Sequence, residues 1–246
     1  MSAVAAPGGA HRVEGEIKGT AFALGSEFML TAGHVVDASL CGGQYEMVVG
    51  LRGPDGCFKS AVVVATERLE GDVAILKVRF SVPGSDQWFN RFKWQERPLD
   101  PFELVRTVGY GYGMQVIDDK KAVVVRGFQG HVVSNLKEFK PVGWTRESFR
   151  AYELSFTAPR GMSGAPLMNV AGTAVVNGVV IGNSESKMLV FRSDERLTEG
   201  AGTSSVEHYE VMTLGVAVQT RVLLSQDSEL LGGTVRDHLA THELLS

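Results

Sequence analysis

Residues 159–167 read Pro159-Arg160-Gly161-Met162-Ser163-Gly164-Ala165-Pro166-Leu167. A serine held between two glycines asks the backbone for tight, unusual turns, because glycine alone visits positive φ without steric cost. The glycine before it leaves a carbonyl room to approach the hydroxyl, with the N–H groups of Gly161 and Ser163 placed to bind an oxyanion together. A glycine-rich β-turn without chemistry is the plain reading of any isolated G-x-S-G, so the rest of the chain has to carry the decision.

Outward from that stretch, apolar residues come in short runs of Val, Ile, Leu, Phe and Ala broken by clusters of Gly, Pro, Asn, Asp and Ser, the pattern of an all-β chain. Runs at 19–24, 28–31, 45–51, 59–65 and 73–78 supply one barrel's worth of strands. The stretch 83–101 is aromatic and charged without periodicity and reads as a connection. Strand signals resume at 104–109, 122–129, 131–134, 152–156, 167–168, 174–181, 188–191 and 212–218. From 225 onward Leu230, Leu231, Val235, Leu239 and Leu244 recur at helical spacing, interrupted at Gly232-Gly233, which predicts a helix beginning after an N-cap at Thr234.

Two further motifs lie upstream of the serine. Leu30-Thr31-Ala32-Gly33-His34-Val35-Val36 ends an apolar run with a histidine, and Glu70-Gly71-Asp72-Val73-Ala74-Ile75-Leu76 sets an aspartate at the entry of another. Alone, each is ordinary: a satisfied histidine, a solvated turn acid. Together with Ser163 they form a candidate catalytic set, because a serine hydroxyl needs a base to take its proton and that base needs a carboxylate to fix its tautomer. Asp37 competes with Asp72 for the orienting role but sits on the same local turn as His34, and is read as a surface residue.

In this order of His, Asp and Ser motifs the chain resembles the trypsin-like serine peptidase family, and looks closer to the protease domains of HtrA-type proteins than to disulfide-rich secreted members. The resemblance implies two antiparallel Greek-key β-barrels with a C-terminal helix and an active site in the cleft between them. It divides the chain into a flexible tail (1–12), a first barrel with His34 and Asp72 (13–82), a linker (83–103), a second barrel with Ser163 (104–222) and the helix (223–246). It implies a serine endopeptidase with His34, Asp72 and Ser163 as triad and Gly161 and Ser163 as the oxyanion-binding pair. Substrate would lie against Thr157, Ala158, Arg160, Val180, Ile181, Gly182 and Asn183. Met162 stands where zymogen-activated members carry an aspartate, so activation by a newly cut N-terminus is not expected, and Ala165 replaces the usual second glycine. Thr157 at the pocket base, six residues before the serine, replaces the acid with which trypsin selects Arg and Lys. An uncharged pocket of modest size follows, favouring Ala, Val, Leu or Met before the scissile bond, unless an acid from the segment 184–211 folds into it; that segment is read as a solvated acidic loop.

Composition narrows the partners. The 246 residues carry a formal charge of −4 with lysines and arginines scattered, which speaks against nucleic acid. No run is long enough for a membrane span and the first residues lack a secretory pattern. Cys41 and Cys57 are read as free thiols, fitting a reducing cytoplasm. No histidine has neighbours at metal-ligand spacing, so neither metal nor cofactor is expected. The partners expected are a protein or peptide substrate, with room for an activating partner protein. The alternative is a catalytically silent or partner-gated peptide-binding module of the same fold.

Overall fold

In β3 (Phe28–Ala32) and the first half of β6 (Val73–Phe80) almost every side chain is apolar and buried on both faces of the strand. The period of two sorts them. Leu30, Ala32, Val73 and Ile75 face one cluster, while Met29, Ala74, Leu76 and Val78 face another. The structure, a computed structural model, describes residues 2–3, 17–25, 27–40, 46–52, 58–80, 91–117, 120–141, 144–145, 147–170, 175–196 and 203–246.

The first sheet is antiparallel. It joins β1 (Ser2–Ala3), β4 (Glu46–Arg52), β5 (Phe58–Leu69), β6, β3 and β2 (Ala21–Ala23) in that spatial order. Met29, Ala61, Ala74, Leu76 and Val78 gather with Ala21, Met47, Val49 and Val63 into one cluster, so the sheet curls around its own interior. Ser2–Ala3 pair with Glu46 and Met47; the remainder of the expected tail, and both cysteines, lie outside the described residues.

The second half holds β7 (Lys93–Trp94), β8 (Leu104–Gly109), the hairpin β9 (Met114–Ile117) and β10 (Lys120–Val123), β11 (Arg126–Phe139), β12 (Phe149–Leu154), β13 (Pro166–Asn169), β14 (Val175–Arg196) and β15 (Thr203–Gln219). β13 pairs with both β8 and β14, which closes β13, β8, β11, β12, β15 and β14 into a barrel. Tyr152, Leu154, Leu167, Val180 and Ala217 fill its interior. Their strand neighbours Ala151, Val179, Ile181, Val216 and Val218 point outward onto Leu30, Val73 and Ile75 of the first half. The fold is thus the predicted pair of β-barrels, joined by a shared apolar layer.

Three sequence expectations change. The strands expected at 122–129 and 131–134 merge over most of their length into β11: its ladder with β8 runs through Gly130, where a Cβ would meet Ser155 Oγ at 2.4 Å. Within the segment expected as a loop, residues 184–196 and 203–211 are strands. β14 and β15 continue past the barrel as a two-stranded arm, paired as far as Arg196 and Thr203. Of the acids that suggested a solvated loop, Glu185, Asp194, Glu195, Glu207 and Glu210 sit within the ladder and Glu199 lies outside the described residues; Glu207 pairs with Arg192 at 3.6 Å, one register step from the ring contact of Phe191 and His208. Finally, the aromatic stretch before residue 101 contributes to the core, with Trp94 fully buried and stacked on Phe22 at 5.7 Å.

The C-terminal segment closes the outside of the shared layer. After α2 (Thr220–Leu224), a two-residue ladder of β16 (Asp227–Ser228) with β17 (Gly233–Thr234) precedes α3 (Val235–Thr241). Thr234 is its N-cap, as predicted, and forms a reciprocal capping box with Asp237. Glu67 of β5 anchors the turn, accepting from Ser228 Oγ and from the N–H groups of Glu229 and Leu230. Burial alone would raise its carboxyl pKa, but these bonds hold it below the ordinary value. Among the described residues no helix is long and apolar enough to cross a membrane.

Candidate active site

The chain leaves β3 directly into α1 (Gly33–Leu40), which places His34 at a strand end. Gly33 donates its N–H to Asp72 O at 2.7 Å and His34 donates its own to Asp72 Oδ1 at 2.9 Å. The ring Nδ1 of His34 is 2.6 Å from Asp72 Oδ2. A carboxylate accepts rather than donates here, so Nδ1 carries the proton and Nε2 is left as the basic nitrogen. Asp72 takes a left-handed φ of 58° after Gly71 at 75°, a conformation aspartate tolerates better than most residues. That tight turn from β5 to β6 aims the buried carboxylate at a histidine whose side chain is 48% exposed.

Asp72 has another neighbour, which the sequence did not single out. Arg68 Nη2 lies 3.3 Å from Asp72 Oδ1 and 3.6 Å from Asp37 Oδ2. The guanidinium covers Gly33, where a Cβ would fall 1.5 Å from Nη1. Nothing in the spacing of Arg68 and Asp72 along a strand and a turn announces the contact. The rival acid, Asp37, is largely exposed and reaches the site only through Arg68.

The serine segment is held from the first barrel. Thr20, buried, donates its hydroxyl to Gly161 O at 2.7 Å and its N–H to Ser163 O at 2.8 Å. Thr31 Oγ1 in turn donates to Thr20 O at 2.7 Å. Both flanking glycines are required: Gly161 (φ 93°) would set a Cβ 2.3 Å from Tyr110 O, and Gly164 (φ 89°) one 2.1 Å from Thr20 O. Tyr112 donates its N–H to Arg160 O at 2.6 Å. In a trans peptide the C=O and the following N–H point opposite ways, so this bond turns Gly161 N–H away from the Gly109–Gly113 turn. The N–H groups of Met162, Gly164 and Ala165 are taken by Pro159 O, Val180 O and Met162 O, whereas those of Gly161 and Ser163 have no acceptor among the described residues. Arg126 steadies the turn, donating Nη1 to Gly111 O with its guanidinium over the Tyr112 ring.

Ser163 Oγ donates to Ile181 O at 3.4 Å and is not bonded to His34. Of the expected pocket residues, Thr157, Arg160 and Asn183 are exposed, Gly182 is half-buried, and Ala158 and Ile181 are nearly buried. Val180 is a correction: its side chain lies in the second core, and its backbone bonds Gly164 and Ala165, so it offers substrate nothing. Asn183 ties the two pocket walls together, accepting from Ala158 N–H at 2.7 Å and donating Nδ2 to Ala158 O at 2.9 Å. The described arm acids Glu185, Glu207 and Glu210 are not buried in the pocket. No group of three His, Cys, Asp or Glu among the described residues is placed to hold a metal.

A family model for the trypsin-like peptidase domain matches residues 19–176, more than half of the chain and all three motifs. The chain belongs to the trypsin-like peptidase domain family. Among solved structures, this peptidase-family chain is similar to an inactive mutant form of Rv3671c from M. tuberculosis H37Rv, 19% identical over 91% of this chain and 80% of that one, with a TM-score of 0.48. The MamO protease domain from Magnetospirillum magneticum is 19% identical over 86% of each chain, with a TM-score of 0.49. The HtrA-type protease AlgW with a decapeptide is 16% identical over 83% of this chain and 49% of that one, also at 0.49. Among curated proteins there is no significant match.

Proposed function

We propose that the chain is a serine endopeptidase with His34, Asp72 and Ser163 as its triad. The observation that carries this reading is the buried Asp72 bonded to His34 Nδ1, beside a serine loop whose Gly161 and Ser163 N–H groups are open. In the reaction Ser163 Oγ attacks the peptide carbonyl as His34 Nε2 takes its proton, and the displaced electron pair settles on the carbonyl oxygen between the two N–H groups. Collapse breaks the C–N bond and returns the proton to the leaving amine. Water then repeats the sequence on the acyl-enzyme, with His34 as base, and releases the acid.

The present bond of Ser163 to Ile181 O supplies the trigger. A substrate strand pairing with the edge at Ile181 directs an N–H at that carbonyl, displaces the serine hydroxyl and frees it for His34. The same bond favours the second reading, a module that is silent until gated by a bound chain. A fluorophosphonate probe separates the two: covalent labelling of Ser163 in the wild type and none in Ser163→Ala or His34→Ala is expected, the two residues acting as a unit. A folded wild type that never labels would support the module.

The pocket walls at 157–160 and 181–183 carry no carboxylate, in keeping with small or medium apolar residues before the cut. The free-thiol reading of Cys41 and Cys57 supports a reducing cytoplasm.

A further inference from the structure

One edge of β15 is bare where the strand leaves the barrel. On the side away from β14, β15 pairs with β12 through residues 215–218, and Gly215 donates its N–H to Phe156 O. From Leu214 back to Thr203 no strand lies on that side among the described residues. Backbone groups two residues apart point the same way, so the N–H and C=O groups of residues 205, 207, 209, 211 and 213 face outward, as those of Gly215 do. Exposed edges are ordinarily guarded by proline, lysine, short length or a bulge. The run Ser205-Val206-Glu207-His208-Tyr209-Glu210-Val211-Met212-Thr213 has neither proline nor lysine and is exposed throughout. It stays regular, because both register slips in the arm insert their extra residue on β14. A ribbon of two strands is marginal in water, and further strands steady it.

The residues of this run complement one another. Val206, His208, Glu210 and Met212 share one face of the arm with Phe191 and Met188 of β14, while the Arg192–Glu207 ion pair and the Tyr209 hydroxyl that donates to Glu207 lie on the other. On the first face Met188, Phe191, Val206 and Met212 are between 51% and 60% exposed. When a bare edge meets a second copy across a two-fold axis, outward groups must meet outward groups, so the axis passes at a single residue and its symmetry mate. An axis at Glu207 or Glu210 sets glutamate against glutamate, and one at His208 sets Val206 against the partner's Glu210. An axis at Tyr209 sets Val206 against the partner's Met212 and His208 against the partner's Glu210, each twice. These are the closer, non-hydrogen-bonded pairs of an antiparallel ladder, where apolar and opposite-charge pairs stabilise and like charges do the reverse.

We propose that the arm joins two copies of this chain, β15 against β15 about a two-fold axis at Tyr209, to make one four-stranded antiparallel sheet. Backbone hydrogen bonds run between Tyr209 and its symmetry mate, between Glu207 and the partner's Val211, and between Ser205 and the partner's Thr213. On the apolar face, His208 and the partner's Glu210 sit side by side, flanked by Phe191 and by the partner's Met188. A second copy is the occupant because the run is its own complement: the imidazole, carboxylate, valine and methionine that the edge asks of a partner are those it carries itself. The contact uses neither Ser163 nor the pocket walls, so it stands apart from the peptidase reading.

Directed cross-linking tests the register, in the full chain carrying Cys41→Ser and Cys57→Ser. Val206→Cys and Met212→Cys chains, told apart by a tag and mixed under oxidising conditions, should form a disulfide-linked heterodimer, since the two positions face each other with Cα atoms about 4.5 Å apart. Either chain alone should give little covalent dimer, because its like positions lie about 20 Å apart along the paired strands. Sedimentation equilibrium on the chain with its cysteines intact measures the strength. His208→Glu opposes two carboxylates on each side of the axis and should weaken association about tenfold or more, about 1.4 kcal/mol; adding Glu210→His should restore it, which a disordered arm would not. Cross-linking of each cysteine chain with itself but not with the other would overturn the proposal, as would association that His208→Glu leaves unchanged. So would a wild type that stays monomeric at about 100 μM, a concentration that fills any contact of micromolar affinity. Co-sedimentation of that monomer with phosphatidylcholine vesicles, lost when 186–212 is replaced by a two-residue turn, would assign the apolar face to a membrane instead.

Discussion

Two donors from His34 and one from Arg68 converge on the Asp72 carboxylate, and they are not equivalent. The ring bond at Oδ2 sets the tautomer; the guanidinium reaches Oδ1, which the His34 N–H also uses. Hydrogen bonds to charged groups are worth about 1.5–3 kcal/mol, so Arg68→Met should lower kcat by about tenfold or more with KM little changed, and Arg68→Lys should restore part of it. The proton resonance of His34 Nδ1–H should move in Arg68→Met, a signature that a loss of packing alone would not give. Asp37→Asn should have almost no effect, because Asp37 is largely exposed and its 3.6 Å ion pair is solvent-screened. Asn183 makes the second residue-scale prediction. Its side-chain amide closes the gap between the pocket walls, so Asn183→Ala should widen the pocket. Profiling with a mixed peptide library should show preference before the cut moving from small residues toward Leu, Met or Phe; an unchanged profile would remove Asn183 from the specificity of the site.

At the scale of elements, α3 carries a pH-sensitive contact. His238 packs edge-on against Phe28 at 5.4 Å and lies 4.5 Å from the His242 ring. Burial, and then the nearby His242, push its pKa below the ordinary 6.5, against an opposing bond with the Leu24 backbone. The folded state therefore binds that proton less readily than the unfolded chain. Stability from this group is full above the unfolded value and falls as pH drops through the depressed folded value. Melting curves at about pH 7.5 and about pH 5 should show a larger loss in the wild type than in His238→Leu, which has no proton to gain there. Equal losses would place the acid sensitivity elsewhere. The N-cap of α3 was legible in Thr234 because capping is local. The arm was not, because strand pairing between distant segments leaves no local signal, and Glu207, read as a loop acid, meets Arg192 only across the ladder.

Across the whole molecule, the site exists only where the barrels meet. Thr20, from the first barrel, accepts from Tyr110 N–H at 3.0 Å and fixes the carbonyls of Gly161 and Ser163. Thr20→Val keeps the shape but removes the hydroxyl, leaving Gly161 O and Tyr110 N–H without that partner. We expect fluorophosphonate labelling to slow by about tenfold or more, the cost of one or two buried groups left unsatisfied, with far-UV circular dichroism unchanged. Labelling at the wild-type rate would show that the loop holds its shape without the first barrel.

What the sequence determined by itself is the portion of the structure that local chemistry and strand periodicity encode. His34, Asp72 and Ser163 each sit in a short motif, and Gly71, Gly161 and Gly164 in those motifs take the positive φ that glycine supplies. The double-buried runs of β3 and β6 and the helical spacing after Thr234 are likewise periodic signals. Arg68, the locking role of Thr20, the Asn183 bridge and the bond of Ser163 to Ile181 were decided by the tertiary structure alone. Each joins residues on different strands or different barrels, and a side chain's partner across a sheet or an interface depends on register and docking, which no local pattern along the chain records.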